Sequence, residues 1–99
     1  MLFMVVEHYI AGPGPVYERA AARGRMLPHG LEYIDSWVVD DDRLDRCFQL
    51  MRTEDPALLG VWTANWDDLC EFEIFSVVDS AAAASRLDIA WPSPDAGDD

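Results

Sequence analysis

The chain has 99 residues, enough for one domain, and its 51% hydrophobic share is that of a packed chain rather than a disordered one. Nineteen acids stand against seven basic residues, all arginine, and the net charge of -12 argues against nucleic acid or an anionic membrane as partner, since phosphates would be repelled. Solubility is the ordinary use of such a charge.

Leu2 to Tyr9 alternates as a first strand, with Leu2, Met4 and Val6 on one face and Phe3, Val5 and Glu7 on the other. The MLFMVV run is too short to span a bilayer and has no basic region before it, so a cytoplasmic protein without an export signal is expected. Ala11-Gly12-Pro13-Gly14-Pro15 is expected as a turn, and its glycines lack the strand–loop–helix fingerprint of a dinucleotide site. A helix follows over about Val16 to Leu27, where Val16, Ala20, Gly24 and Leu27 make an apolar stripe. Pro28-His29-Gly30 ends it.

Leu31 to Val39 is a second strand, with Ile34, Ser36 and Val38 opposite Tyr33, Asp35 and Trp37. Across the acidic turn Asp40-Asp41-Asp42 it forms a hairpin with a third strand, about Leu44 to Arg52; the turn lacks the spacing of a calcium loop. Asp55 is placed to cap a second helix with Pro56 at its first position, and that helix carries Leu58, Leu59, Trp62, Trp66 and Leu69 at core spacing. A fourth strand, Cys70 to Val78, sets Phe72, Ile74 and Val78 against Glu71, Glu73, Phe75 and Val77. Ser80 caps a short alanine-rich helix to about Ile89, and Pro92 to Asp99 is expected as a loose acidic tail to a single domain over residues 1–91.

The order β-α-β-β-α-β matches the ferredoxin-like α+β pattern, an antiparallel sheet of order 4-1-3-2 with both helices on one face. The smooth faces Leu2/Met4/Val6, Ile34/Val38, Phe48/Leu50 and Phe72/Ile74 are expected to meet the helices. The other face, which mixes acids, aromatics and a thiol, is then left for a second copy to cover, with a cavity between the sheets. Cys47 and Cys70 show no metal-ligand spacing; on non-adjacent strands they lie too far apart for a disulfide, so both are expected as free thiols.

The segments MLFMVVEHY, GRMLPHGLEYIDSW, CFQLM, DPALLGVW and WDDLCEFE resemble, in order from Met1 to about Val78, a bacterial family known as domain of unknown function 3303. That family looks like a member of the dimeric α/β-barrel group, in which two ferredoxin-like sheets close face to face. The wider group includes cofactor-independent monooxygenases, isomerases, polyketide cyclases and haem-handling enzymes. The resemblance implies a fold and a homodimer; it carries over no functional residue.

On the mixed face the expected strand order sets Glu7 beside Glu73, with Cys47 on the other side of Glu7, then Trp37. Asp35 and Gln49 fall nearer the middle, and Tyr33, Phe75 and Val77 toward the far end. Two carboxylates in a partly dry cavity disfavour double ionisation, so one holds a proton near neutrality as an acid–base pair requires. Glu7 and Glu73 are the catalytic candidates and Asp35 a reserve base; neutralisation by an arginine is the structural alternative. A register error of one residue would turn Glu7 to the other face.

Tyr9, Tyr33 and Trp37 are candidates to stack an aromatic substrate, though interface packing is the commoner role of such residues. Gln49, Phe75 and Cys47 would line the same cavity, Cys47 as a small wall residue, because acidic neighbours oppose its activation. His8 sits at the strand end and belongs to no metal motif. Arg23, Arg25 and His29 cluster near the first helix's C-terminus, where the helix dipole explains them as well as anion binding does. The expected function is acid–base isomerisation or cyclisation, or oxygenation, of an apolar or aromatic metabolite in a dimer cavity without a cofactor. A non-catalytic ligand-binding or assembly module is the alternative, and a dimer with a filled inner face stands third.

Overall fold

Four strands, β1 (Leu2–Tyr9), β2 (Glu32–Val38), β3 (Arg46–Arg52) and β4 (Cys70–Val77), form an antiparallel sheet in the order β2-β3-β1-β4. Helix α1 (Pro13–Arg23) connects β1 to β2, α2 (Ala57–Thr63) connects β3 to β4, and α3 (Ser80–Arg86) follows β4. The structure is a computed structural model that describes residues 1–92. Apart from Pro92, the expected acidic tail lies outside the described residues. The ferredoxin-like α+β order expected from the sequence is the one found.

Each helix begins and ends for a local reason. Pro13 and Pro15 start α1 instead of merely breaking the chain, because a first-turn proline lacks an N–H that would have no helical partner anyway. Gly24, at φ 68°, stops α1 at Arg23, so the stripe is cut after Ala20 and Leu27 lies in the following loop. Before α2, Asp55 Oδ1 accepts the Ala57 N–H at 3.1 Å, but the N-cap position is held by Pro56, one residue after the expected Asp55. For α3 the cap is Asp79, which accepts the Ala82 N–H at 2.7 Å, one residue before the expected Ser80.

The sheet faces differ from expectation. The helix-covered core takes Phe3, Val5 and Tyr9 from β1, Cys47 and Met51 from β3, and Cys70 from β4, packed on Val16, Leu59, Trp62 and Trp66. Leu2, Met4, Phe48 and Leu50, expected in that core, are only half-buried, on the opposite face. On β4 the expected facing holds, and Phe72 packs on Trp62 with ring centroids 6.0 Å apart while Glu71, Glu73 and Phe75 are exposed on the other side, but Ile74, expected in the core, is exposed as well. In β2, an irregularity at Ile34 puts Tyr33 opposite Met51 and Asp35 opposite Leu50, so Tyr33 shares the helix-covered face with Ser36 and Val38.

Candidate functional site

Glu7 and Tyr9 from β1, with Cys47 and Gln49 from β3, form the floor of a cavity of about 290 Å³ between sheet and helices. Val16, Tyr17 and Ala20 of α1 roof one side, and Trp62 and Trp66 the other. Arg25, in the loop after α1, stands at its rim with its side chain exposed. Of the mixed polar and aromatic surface expected to wall a cavity between two copies, Glu7, Tyr9, Cys47 and Gln49 line one, and it lies under the chain's own helices.

Glu7 is 4% exposed and sits opposite Cys47 on β3 and Phe72 on β4. Its Oε2 accepts the Gln49 Nε2–H at 2.6 Å, and among the described residues no cation lies within ion-pair distance of it. Burial raises its pKa from 4.5 to about 7; the Gln49 hydrogen bond, the polar groups of Tyr9 and Cys47 and the charge of Arg25 hold the rise back. Burial also pushes the Cys47 thiol up to about 11, the Cys70 thiol up to about 12, and the Tyr9 phenol above its ordinary range. At neutral pH these three groups keep their protons, whereas Glu7 exists in both states.

The other expected pairings are undone by the register. Glu73 stands opposite Val6, on the exposed face, so no Glu7–Glu73 pair exists. Asp35 is exposed on that face, its Oδ1 accepting the Ser36 N–H at 2.8 Å. Trp37 and Phe75, 52% and 50% exposed, belong there too. Tyr33 lies under the helices, its hydroxyl 2.7 Å from that of Ser36, and carries the Arg25 guanidinium 3.5 Å above its ring centre. Of the nine expected site residues, Glu7, Tyr9, Cys47 and Gln49 come together. His8 is exposed, 3.2 Å from Glu71 and 3.6 Å from Asp45.

Arg25 was not expected to stand apart from its cluster, and its position is built by tryptophans expected only as core. The buried indoles of Trp62 and Trp66 both donate to the Arg25 carbonyl, at 3.0 and 3.2 Å. Asn65 Nδ2 donates to the Met26 carbonyl at 3.3 Å. A buried indole N–H needs an acceptor, which is the one sequence signal that α2 and the turn after it must reach a loop carbonyl. Tyr17 closes the rim edge-on to Tyr9, with ring centroids 6.3 Å apart.

A family model, Domain of unknown function (DUF3303), matches residues 1–88. This chain belongs to that family. No curated protein and no solved structure matches it. Within this member of the family, no three His, Cys, Asp or Glu side chains among the described residues come together as metal ligands. No helix among them is long and apolar enough to cross a membrane.

Proposed function

We propose that the protein takes a small, mainly apolar or aromatic metabolite into the cavity between sheet and helices, and that Glu7 exchanges a proton with it in a cofactor-independent isomerisation or cyclisation. The observation that carries this is a carboxyl 4% exposed whose hydrogen-bond partner is the neutral amide of Gln49 rather than a cation. A group with a pKa of about 7 is populated as base and as acid at neutral pH, which is what moving a proton off one substrate atom and onto another requires. One carboxyl suffices when both atoms lie on the same side of the bound molecule. The Tyr9 phenol and Cys47 thiol, both protonated, orient rather than ionise.

Binding without conversion is the competing account. It is favoured by the cavity wall, where the thiols and the Tyr9 phenol stay protonated and leave Glu7 without a second titrating partner among them near neutrality. Two copies are proposed to pair through the exposed sheet face, where Trp37 and Phe75 stand beside half-buried Met4, Phe48 and Leu50. The cavity would remain complete within each copy.

The test is solvent-proton exchange in deuterium oxide. Small aromatic and alicyclic ketones are screened through the fluorescence of Trp62 and Trp66, and bound ones are followed for deuterium entering the carbon next to the carbonyl. Catalysed exchange that disappears in Glu7→Gln supports proton transfer. Saturable binding with no exchange supports sequestration, and exchange unchanged in Glu7→Gln removes Glu7 from the chemistry.

A further inference from the structure

The seven arginines of this acidic chain differ in what they face. Arg19 forks onto both oxygens of Asp68 at 2.8 Å, Arg52 meets Glu32 at 3.2 Å, and Arg46 lies over Phe48 on the exposed sheet face. Arg25 lines the cavity, yet no carboxylate among the described residues pairs with it. One face of its guanidinium is stacked on Tyr33, which leaves the edge N–H groups directed away from that ring.

Its place is fixed by construction. Trp62 and Trp66 hold its carbonyl, Asn65 holds the next one, and the backbone on either side is turned by Gly24 at φ 68° and Met26 at φ 58°. A non-glycine residue such as Met26 adopts that left-handed conformation rarely. The helix dipole does not account for Arg25, because α1 ends at Arg23, the residue that occupies its last turn. His29, the third member of the sequence cluster, does not line the cavity.

Resting on the cavity as a ligand site, we infer that its ligand carries a carboxylate, held by Arg25 at the rim while the apolar body lies along Tyr9, Val16 and Trp62 toward Glu7. A planar guanidinium presents paired donors that match a carboxylate's two oxygens. A ligand of the opposite polarity would meet this cation at the entrance. The substrate class is therefore a small aromatic or alicyclic monocarboxylate, with its anionic end outward and its uncharged end next to the buried carboxyl. Placing the charge at the rim also keeps it away from Glu7, which would repel it when ionised.

The experiment pairs three carboxylates with their neutral amides: benzoate, phenylacetate and cyclohexanecarboxylate against benzamide, phenylacetamide and cyclohexanecarboxamide. Binding to the full chain is measured through tryptophan fluorescence at low ionic strength, for the wild type, Arg25→Gln and Arg25→Lys. Circular dichroism confirms that each variant is folded. The expected result is at least one acid bound about tenfold tighter than its amide, as a charge-assisted hydrogen-bond pair provides. The preference falls to near unity in Arg25→Gln and returns in part in Arg25→Lys. Amides that bind as tightly as their acids, or an acid preference that survives Arg25→Gln, overturn the carboxylate subsite and leave the cavity as a ligand site. Failure of all six probes to bind overturns both.

Discussion

Gln49 reaches Glu7 diagonally across the β1–β3 pair: Val5 stands opposite Gln49 and Cys47 opposite Glu7, and the 2.6 Å hydrogen bond runs between the two positions. The contact holds a buried carboxyl with a neutral donor. Gln49 Oε1, by contrast, has no partner among the described residues.

Removing that donor takes away the first of the influences that hold the Glu7 pKa down. Gln49→Leu is expected to raise the Glu7 pKa above about 7, because one of the influences holding it down is lost. The same variant should lose about 1–3 kcal/mol at pH 8, where ionised Glu7 must stay buried without its Gln49 donor. Urea denaturation at pH 5 and pH 8 checks this: the loss should be clearly larger at pH 8. Equal losses at both would show that the bond does not stabilise the ionised form.

Glu7→Gln should do the reverse at high pH. The folded pKa, about 7, lies above the ordinary 4.5, so the unfolded chain releases the Glu7 proton first. The stability that the proton supplies is complete below about 4.5 and is lost as pH rises through about 7. The shift corresponds to roughly 3 kcal/mol, or about 10 °C or more in a chain of this size. Glu7→Gln is expected to melt above wild type at pH 8.5 and close to it at pH 4.5. A variant melting at or below wild type at pH 8.5 would mean that ionised Glu7 is stabilised in the fold.

The elements and the strand order were legible because turn residues and periodicity mark them; the faces of the central strands were not. Leu2, Met4 and Val6 are as apolar as Phe3 and Val5, so alternation in β1 carried no direction and Glu7 decided it. Burying an acid costs several kcal/mol unless it is hydrogen-bonded or protonated, so the side bearing Glu7 was expected to face away from the helices. The fold buries it with Gln49 instead, and β1 and β3 turn over together. The group Glu7, Tyr9, Cys47 and Gln49 survived because it depends on strand pairing alone. Glu73, Asp35, Trp37 and Phe75 were lost from the site because β4 and the Asp35–Val38 part of β2 kept the expected side while β1 did not. Arg25 was hidden because a loop has no periodicity, and what places it is a pair of indole hydrogen bonds, from Trp62 in α2 and Trp66 in the turn after it.

The thiols give an independent check on the floor of the cavity. Cys47 and Cys70 are buried, and burial holds their pKa values near 11 and 12. Neither should react appreciably with a disulfide reagent in the native protein at pH 8, and both should react once guanidinium unfolds it. Ready native reaction of either would place that sulfur at an accessible surface.

The exposed sheet face should govern assembly. Wild type is expected to sediment at twice the 11.1 kDa chain mass. Trp37→Glu combined with Phe75→Arg should sediment as a single chain with its circular dichroism unchanged, since both side chains are half exposed in the protomer. A monomeric wild type would contradict pairing through this face.

The most direct measurement is the carbon-13 titration of the Glu7 side-chain carboxyl by NMR, from pH 4 to pH 9. A midpoint near 7 is the predicted result, a buried acid able to take up and release a proton at neutral pH. A midpoint in the ordinary range near 4.5 would contradict the account, because Glu7 would then be a solvated or neutralised carboxylate with no proton to exchange.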